Sequence, residues 1–193
     1  MFAHGSGSGR HSPRNRYVAH MFREVGLATL LIDLLTPEEE EVDLYTHHLR
    51  FDIGLLAERL VGVTDWLTQN PDIQNLRVGY FGASTGAGAA LVAAAGRPEV
   101  VDAIVSRGGR PDLAGDELSR VRAPVLLIVG GNDRRVIGMN REALAKLRVE
   151  KKLEIVPGAT HLFEEPGALE VVAKLAAEWF VRYLTLPDDT GTN

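Results

Sequence analysis

A serine, an aspartate and a histidine each follow directly after a short apolar run. Ser84 is the third residue of G-A-S-T-G, Asp133 is the last residue of G-G-N-D, and His161 is the last residue of G-A-T-H. A serine hydroxyl is a weak nucleophile at neutral pH unless a base takes its proton and an acid orients that base. The order Ser, Asp, His therefore indicates acyl-transfer chemistry, with Ser84 as nucleophile, His161 as base and Asp133 as acid.

The surroundings of Ser84 give the G-x-S-x-G pattern its weight, since the pattern alone occurs in many glycine-rich loops. It lies between an apolar run and an alanine-rich helical stretch, where a sharp strand-to-helix turn lifts the serine hydroxyl above a sheet. The alternative is a glycine-rich helix start with Ser84 as N-cap. His161 alone could equally be a helix cap or a buried imidazole, and Asp33 is an alternative acid.

Short apolar runs alternate with longer amphipathic ones, which predicts an α/β fold with a mainly parallel sheet of about six strands in a three-layer sandwich. The acidic run after Pro37 is interpreted as a solvated loop or a helix start. The predicted strands are 1–4, 28–32, 76–81, 101–106, 125–129 and 153–156, and the predicted helices are 15–25, 49–68, 84–95, a short one near 113–121, 139–147 and 166–184. Ligands of such sheets bind beyond the carboxyl ends of the strands, where all three residues would lie.

The motifs F-G-A-S-T-G-A-G, G-G-N-D and G-A-T-H-L-F together resemble the α/β-hydrolase fold, and within it the dienelactone hydrolase-like branch, which includes domains fused to phosphoribosyltransferases. The resemblance spans nearly the whole chain. Dienelactone hydrolases proper carry a cysteine nucleophile, whereas this chain has no cysteine. The usual first two strands of the fold are also missing, and the connection 107–124 is too short for a lid domain.

The resemblance also implies an oxyanion hole, the group of donors that binds the charged oxygen of the reaction intermediate. The stretch H-G-S-G-S-G, residues 4–9, matches the place of the oxyanion loop. It predicts that the backbone N–H groups of Ser6 and Thr85 are the two donors. The alternative is a flexible glycine-serine loop. The glycine spacing is not that of a dinucleotide-binding fingerprint.

Three arginines near the predicted carboxyl-end rim are candidates for substrate binding. Arg10 follows the glycine-serine loop, and Arg107 and Arg110 follow the predicted strand 101–106. A guanidinium there could bind a substrate carboxylate, although a solvated or salt-bridged surface is the alternative. His47 and His48 are neighbours and would point about 100° apart on a helix, so we predict no metal site. Acyl transfer by Ser84, His161 and Asp133 needs no cofactor, so we predict none.

Composition narrows the class of protein further. The 193 residues are 45% hydrophobic and 24% charged, as in globular proteins, and 21 basic against 26 acidic residues give a net charge of −5. We therefore expect one domain over residues 1–186 with a polar tail over 187–193, and no nucleic-acid partner. No run is long and apolar enough for a membrane helix, and the first residues do not read as a signal peptide, so we expect no membrane partner and a cytoplasmic protein.

These features predict a serine esterase that acts on a small soluble ester. The alternatives are a non-catalytic accessory domain with a binding role, or thioesterase, lactonase or haloperoxidase activity on the same fold. Without the usual first two strands, the apolar run 28–32 would be an exposed sheet edge, which favours a homodimer. The segment 34–48 could instead fold over that edge.

Overall fold

A computed structural model describes residues 1–185 of the chain, so the predicted tail 187–193 lies outside the described residues. Five parallel strands form one sheet: β1 (Phe2–Ala3), β2 (Val78–Ala83), β3 (Val101–Arg107), β4 (Val125–Gly130) and β5 (Lys151–Val156), in the order β1-β2-β3-β4-β5. The helices are α1 (Pro13–Glu24), α2 (Pro37–Thr46), α3 (Ile53–Gln69), α4 (Thr85–Gly96), α5 (Arg134–Lys146) and α6 (Ala168–Leu184). Short 3-10 segments cover Leu49–Phe51 and Pro111–Arg120.

The sheet is buried on both faces, which explains why its strands are apolar without alternation. Ile104 of β3 packs with α3 and α4 in one core cluster, and the next residue, Val105, packs with α1 and α6 in the other. Successive side chains of a strand point to opposite faces, so each face needs its own cover of helices. The predicted three-layer α/β architecture is confirmed.

The segment 28–32 differs from its prediction as a strand. It contributes an isolated bridge between Leu31 and Phe2 and a hydrogen bond from Phe2 N–H to the Leu30 carbonyl. Its neighbour β1 is two residues long and therefore offers few backbone groups to pair with. Within residues 1–185 the sheet has five strands instead of about six, and this segment lies at its edge.

The acidic run after Pro37 forms a complete helix, α2, and its start is fixed by a capping box. Thr36 Oγ1 accepts a hydrogen bond from Glu39 N–H, and the Glu39 carboxylate accepts one from Thr36 N–H. The spacing S/T-x-x-E is a sequence signature of a helix start, and Pro37 suits the first helical position. The predicted helix over 49–68 is interrupted at Asp52, which caps α3 by accepting from Leu55 N–H.

Each helix of residues 1–185 is too short or too polar to cross a membrane.

Candidate active site

Ser84 occupies a strained turn between β2 and α4. Its backbone lies at φ 48° and ψ −121°, a conformation that residues other than glycine rarely adopt. Such a strained conformation persists only where the surroundings enforce it. Close backbone packing enforces it here: a Cβ added at Gly86 would lie 2.3 Å from the carbonyl oxygens of Ala3 and His4. Gly86, the last glycine of the G-x-S-x-G motif, is therefore required because a side chain would not fit there. The turn presents a half-buried Ser84 at the carboxyl end of β2.

His161 and Asp133 form a hydrogen-bonded pair at the same end of the sheet. His161 Nδ1 lies 2.7 Å from Asp133 Oδ2, with 39% of the histidine side chain and 16% of the aspartate side chain exposed. A carboxylate acceptor at Nδ1 holds the proton there and leaves Nε2 free to act as a base. Asp33, the alternative acid, is instead engaged by Arg10.

The loops that carry the pair are tied to each other by backbone contacts. Asn132 N–H donates to the Ala159 carbonyl at 2.9 Å, and Asn132 Nδ2 donates to the Gly158 carbonyl at 2.8 Å. A Cβ added at Gly130 would lie 2.5 Å from the Ala159 and Thr160 carbonyl oxygens. These contacts hold the Asp133 loop against the His161 loop, so the backbone as well as the side chains positions the carboxylate next to the imidazole.

The end of β3 lies between Ser84 and His161. Ser84 N–H donates to the Arg107 carbonyl at 3.4 Å, and a Cβ added at Gly108 would lie 2.9 Å from His161 O and 3.6 Å from its Nδ1. Gly108 has φ 51°, which suits glycine. The hydrogen bonds of residues 1–185 include none between Ser84 and His161. In enzymes without substrate such bonds are often long, and they tighten in the complex.

The glycine-serine loop lies against the Ser84 turn. A Cβ added at Gly5 would lie 3.0 Å from Ser84 Cβ, and Ser6 N–H donates to Thr85 Oγ1 at 3.0 Å. Thr85 is the first residue of α4, so its own N–H has no partner inside the helix. The two predicted oxyanion donors thus adjoin each other beside Ser84, and the N–H of Ser6 is bonded to the side chain of Thr85.

A cavity of about 550 Å³ opens beside this loop. Its wall includes Ser6 and Thr85, and its other side is formed by α2 and the segment before it, with Leu34, Leu35 and Leu44. Sequence reasoning missed this wall because α2 was interpreted as a loop or helix start. The capping-box spacing T-P-E-E at Thr36 was the signal that could have found it.

The three arginines predicted to bind substrate are in different situations. Arg10 pairs with Asp33 at 2.9 Å, and Arg110 pairs with Asp112 through two nitrogens at 2.7 and 2.9 Å. Arg107 is buried and has no carboxylate partner among residues 1–185, and its Nη2 donates to Asn15 Oδ1 at 3.4 Å. Burial, together with the charge of a neighbouring arginine, lowers the pKa of Arg107 to about 10.

Comparisons with known proteins extend this picture. The family model described as "Dienelactone hydrolase family" matches residues 37–186. The protein named "Putative phosphoribosyl transferase Rv0571c" from Mycobacterium tuberculosis (strain ATCC 25618 / H37Rv) is 61% identical over 191 residues. That match covers 99% of this chain and 42% of the relative, so the chain spans less than half the length of this curated relative.

Solved structures agree. The crystal structure of dienelactone hydrolase from Anabaena variabilis has a TM-score of 0.94 and 71% sequence identity over 95% of this chain and 85% of that one. Est1E from Butyrivibrio proteoclasticus shares the fold, with a TM-score of 0.74 at 16% identity over 94% of this chain and 86% of that one. The family match covers most of the chain and coincides with the Ser84 turn and the His161–Asp133 pair: the chain belongs to the dienelactone hydrolase family.

Proposed function

We propose that the chain is a serine hydrolase that cleaves small carboxylic esters through an acyl-enzyme intermediate. The observation that carries the proposal is the 2.7 Å pairing of His161 Nδ1 with Asp133 Oδ2 at the sheet end where the strained turn presents Ser84. The family and the serine in place of the usual cysteine support it. Ser6 and Thr85 are proposed to form the oxyanion hole, with Ser6 N–H donating to Thr85 Oγ1.

The proposed reaction follows from the roles of these groups. Ser84 Oγ attacks the ester carbonyl carbon, its proton passes to His161 Nε2, and the carbonyl electron pair moves to the oxygen held by the oxyanion donors. Collapse of this intermediate breaks the bond to the leaving alcohol, which takes the proton from His161. A water molecule then repeats the sequence on the acyl-enzyme and releases the acid. Asp133 keeps the imidazole oriented and stabilises its charged form.

The cavity beside the oxyanion loop has a volume of about 550 Å³ and is lined by Ser6 and Thr85, the neighbours of Ser84, but not by Ser84, Asp133 or His161. Its wall carries the carboxylates of Glu40 and Glu41 on α2, which disfavour an anionic group on that side. Arg10 and Arg110 are already paired, so Arg107 is the remaining candidate among the three arginines for a substrate carboxylate, which leaves that role a prediction.

Two alternative functions are compatible with the same residues, and assays of turnover on different substrates distinguish them. A thioester or a lactone would be attacked by Ser84 in the same way, and an accessory domain would bind without turnover. Phosphoribosyl transfer, the activity in the name of a relative of which the chain matches 42%, is not proposed, because the contacts described here serve acyl transfer. We also propose that the protein forms a homodimer and is located in the cytoplasm.

Labelling with a fluorophosphonate tests the proposal, because this reagent reacts with activated serines. We expect one label per chain, located on Ser84, and hydrolysis of p-nitrophenyl acetate by the same protein. Ser84→Ala should lose both, with turnover reduced on the order of 10⁶-fold. Ser119→Ala, at an exposed serine of the 3-10 segment, is the matched control and should keep both. Labelling at another serine, or a Ser84→Ala protein with a tenth of the activity, would overturn the assignment.

A further inference from the structure

The peptide unit between Gly5 and Ser6 is held at both of its polar ends. Its N–H, on Ser6, donates to Thr85 Oγ1 at 3.0 Å. Its carbonyl, on Gly5, lies 3.0 Å from His4 Nδ1, and His4 Nε2 accepts from Leu34 N–H at 2.9 Å. Because Nε2 is an acceptor, the ring proton is on Nδ1 and is donated to the Gly5 carbonyl. The orientation of this peptide is therefore set by two side chains, His4 and Thr85.

The Thr85 hydroxyl has one proton that this arrangement leaves unused. A threonine hydroxyl can accept hydrogen bonds and donate one, and here its oxygen accepts from Ser6. The hydrogen bonds within residues 1–185 include none in which the Thr85 hydroxyl is the donor. The residue is 2% exposed, and a buried hydroxyl proton without an acceptor is costly.

The position of this hydroxyl identifies the acceptor that it lacks. Thr85 directly follows Ser84 and lines the cavity together with Ser6. Ser84 does not line that cavity but directly precedes Thr85, so the ester oxygen that gains negative charge when Ser84 attacks forms beside Thr85. A hydroxyl that already accepts a hydrogen bond is polarised and donates more strongly to such an oxygen.

We infer that the Thr85 hydroxyl, oriented by Ser6 N–H, donates to the oxyanion in place of that N–H. The inference rests on the proposed function. Thr85 then contributes its backbone N–H and its hydroxyl to the same oxygen, and Ser6, whose N–H donates to Thr85 Oγ1, acts through that hydroxyl. The hydroxyl donates a hydrogen bond and transfers no proton, so the balance of the reaction is unchanged.

The test compares Thr85→Val, Thr85→Ser and Thr68→Val, the last a control at a threonine of α3 outside the cavity wall. Turnover of p-nitrophenyl acetate is normalised to the serines that the fluorophosphonate labels. Valine keeps the shape and the backbone N–H but removes the hydroxyl. We expect kcat to fall about 10²-fold with KM nearly unchanged, since loss of one oxyanion donor has that effect. Thr85→Ser should recover most of the rate, and Thr68→Val should match the unsubstituted protein.

Inhibition by a boronic acid supplies a readout that a merely structural role would not move. Its adduct with Ser84 is tetrahedral and anionic, so Thr85→Val should weaken its inhibition by a factor similar to the loss in kcat, while Thr85→Ser should not. Unchanged kcat, a loss expressed in KM alone, or a rise in kcat would overturn the inference and leave the proposed function standing. An unsubstituted protein without ester turnover or Ser84 labelling would overturn both.

Discussion

The two ends of the parallel sheet differ in how they are built. At the carboxyl end, loops rich in glycine bring Ser84, Asp133 and His161 to one rim. A cavity of about 550 Å³ lies next to this rim, and its lining includes Ser6 and Thr85 but none of those three residues. At the amino end, a groove of about 270 Å³ is lined mainly by apolar side chains from the segment 27–30, α3 and α6. The amino-end groove is more apolar, yet the residues able to carry acyl transfer lie at the other end. An exposed apolar groove indicates an interaction surface, whereas polar side chains that converge on a constrained backbone indicate a catalytic site.

The largest expected effect comes from breaking the polar pair of the carboxyl end. His161→Ala removes the base, and we expect ester turnover to fall on the order of 10⁶-fold. Asp133→Asn keeps the shape but loses the carboxylate that holds the imidazole tautomer, with an expected loss of about 10⁴-fold. Steady-state kinetics on p-nitrophenyl acetate measure both.

The matched control for Asp133→Asn is Asp33→Asn, at the carboxylate that Arg10 engages. It should leave kcat within a few-fold of the unsubstituted protein. Should Asp33→Asn abolish turnover while Asp133→Asn is silent, the acid of the triad would be Asp33.

The contrast between the two ends also decides what the sequence could predict. Each triad residue and the oxyanion loop could be predicted from a local sequence pattern, because each follows an apolar run that indicates a strand. The contact from Ser6 to Thr85 joins residues 79 positions apart and depends on the packing of β1 against β2, so no local pattern reports it. Segment 28–32 has strand composition, but pairing is decided by its two-residue neighbour β1.

The next effect concerns the backbone packing that supports the rim. Gly86→Ala places a methyl group 2.3 Å from two carbonyl oxygens of the β1 segment, which cannot move away without lifting the oxyanion loop. We expect a loss of at least about 1–3 kcal/mol in the free energy of unfolding and a large drop in kcat. Denaturant unfolding and ester kinetics measure the two.

Gly96→Ala is the matched control, because it is the last residue of the same helix and its added Cβ meets open space. It should be neutral or stabilise the protein by about 0.5–1 kcal/mol with unchanged kcat. Equal stability of the two variants would mean that the Ser84 turn does not depend on contact with the β1 segment.

A smaller effect concerns the acyl group of the substrate. The connection after β3 is a short 3-10 segment, which supplies no separate domain to shelter a long chain. We expect p-nitrophenyl acetate to hexanoate to be preferred, with kcat/KM at least about tenfold lower for dodecanoate. A series of esters of increasing length measures this preference, and a rate that continues to rise to dodecanoate would contradict it.

The smallest effect on turnover should come from the amino-end groove, where we predict an effect on association instead. Trp66 is 54% exposed and Leu76 is 55% exposed there, beside the edge segment 28–32. Helix α2 lines the carboxyl-end cavity and does not line this groove. An exposed apolar face beside a sheet edge favours pairing with a second copy. We therefore predict the mass of two chains in light scattering at micromolar concentration. Trp66→Ser should shift the protein toward one chain, with dimer affinity weaker by about 30-fold, as expected for loss of a central aromatic residue.

Tyr45→Ser, at an 88% exposed aromatic residue that lines neither cavity, should leave the mass unchanged. Both variants should keep kcat within about twofold, because surface substitutions far from the site rarely alter chemistry. A monomer at every concentration would show that the groove is not a dimer interface, and a Trp66→Ser protein that loses turnover would show that the two ends of the sheet are coupled.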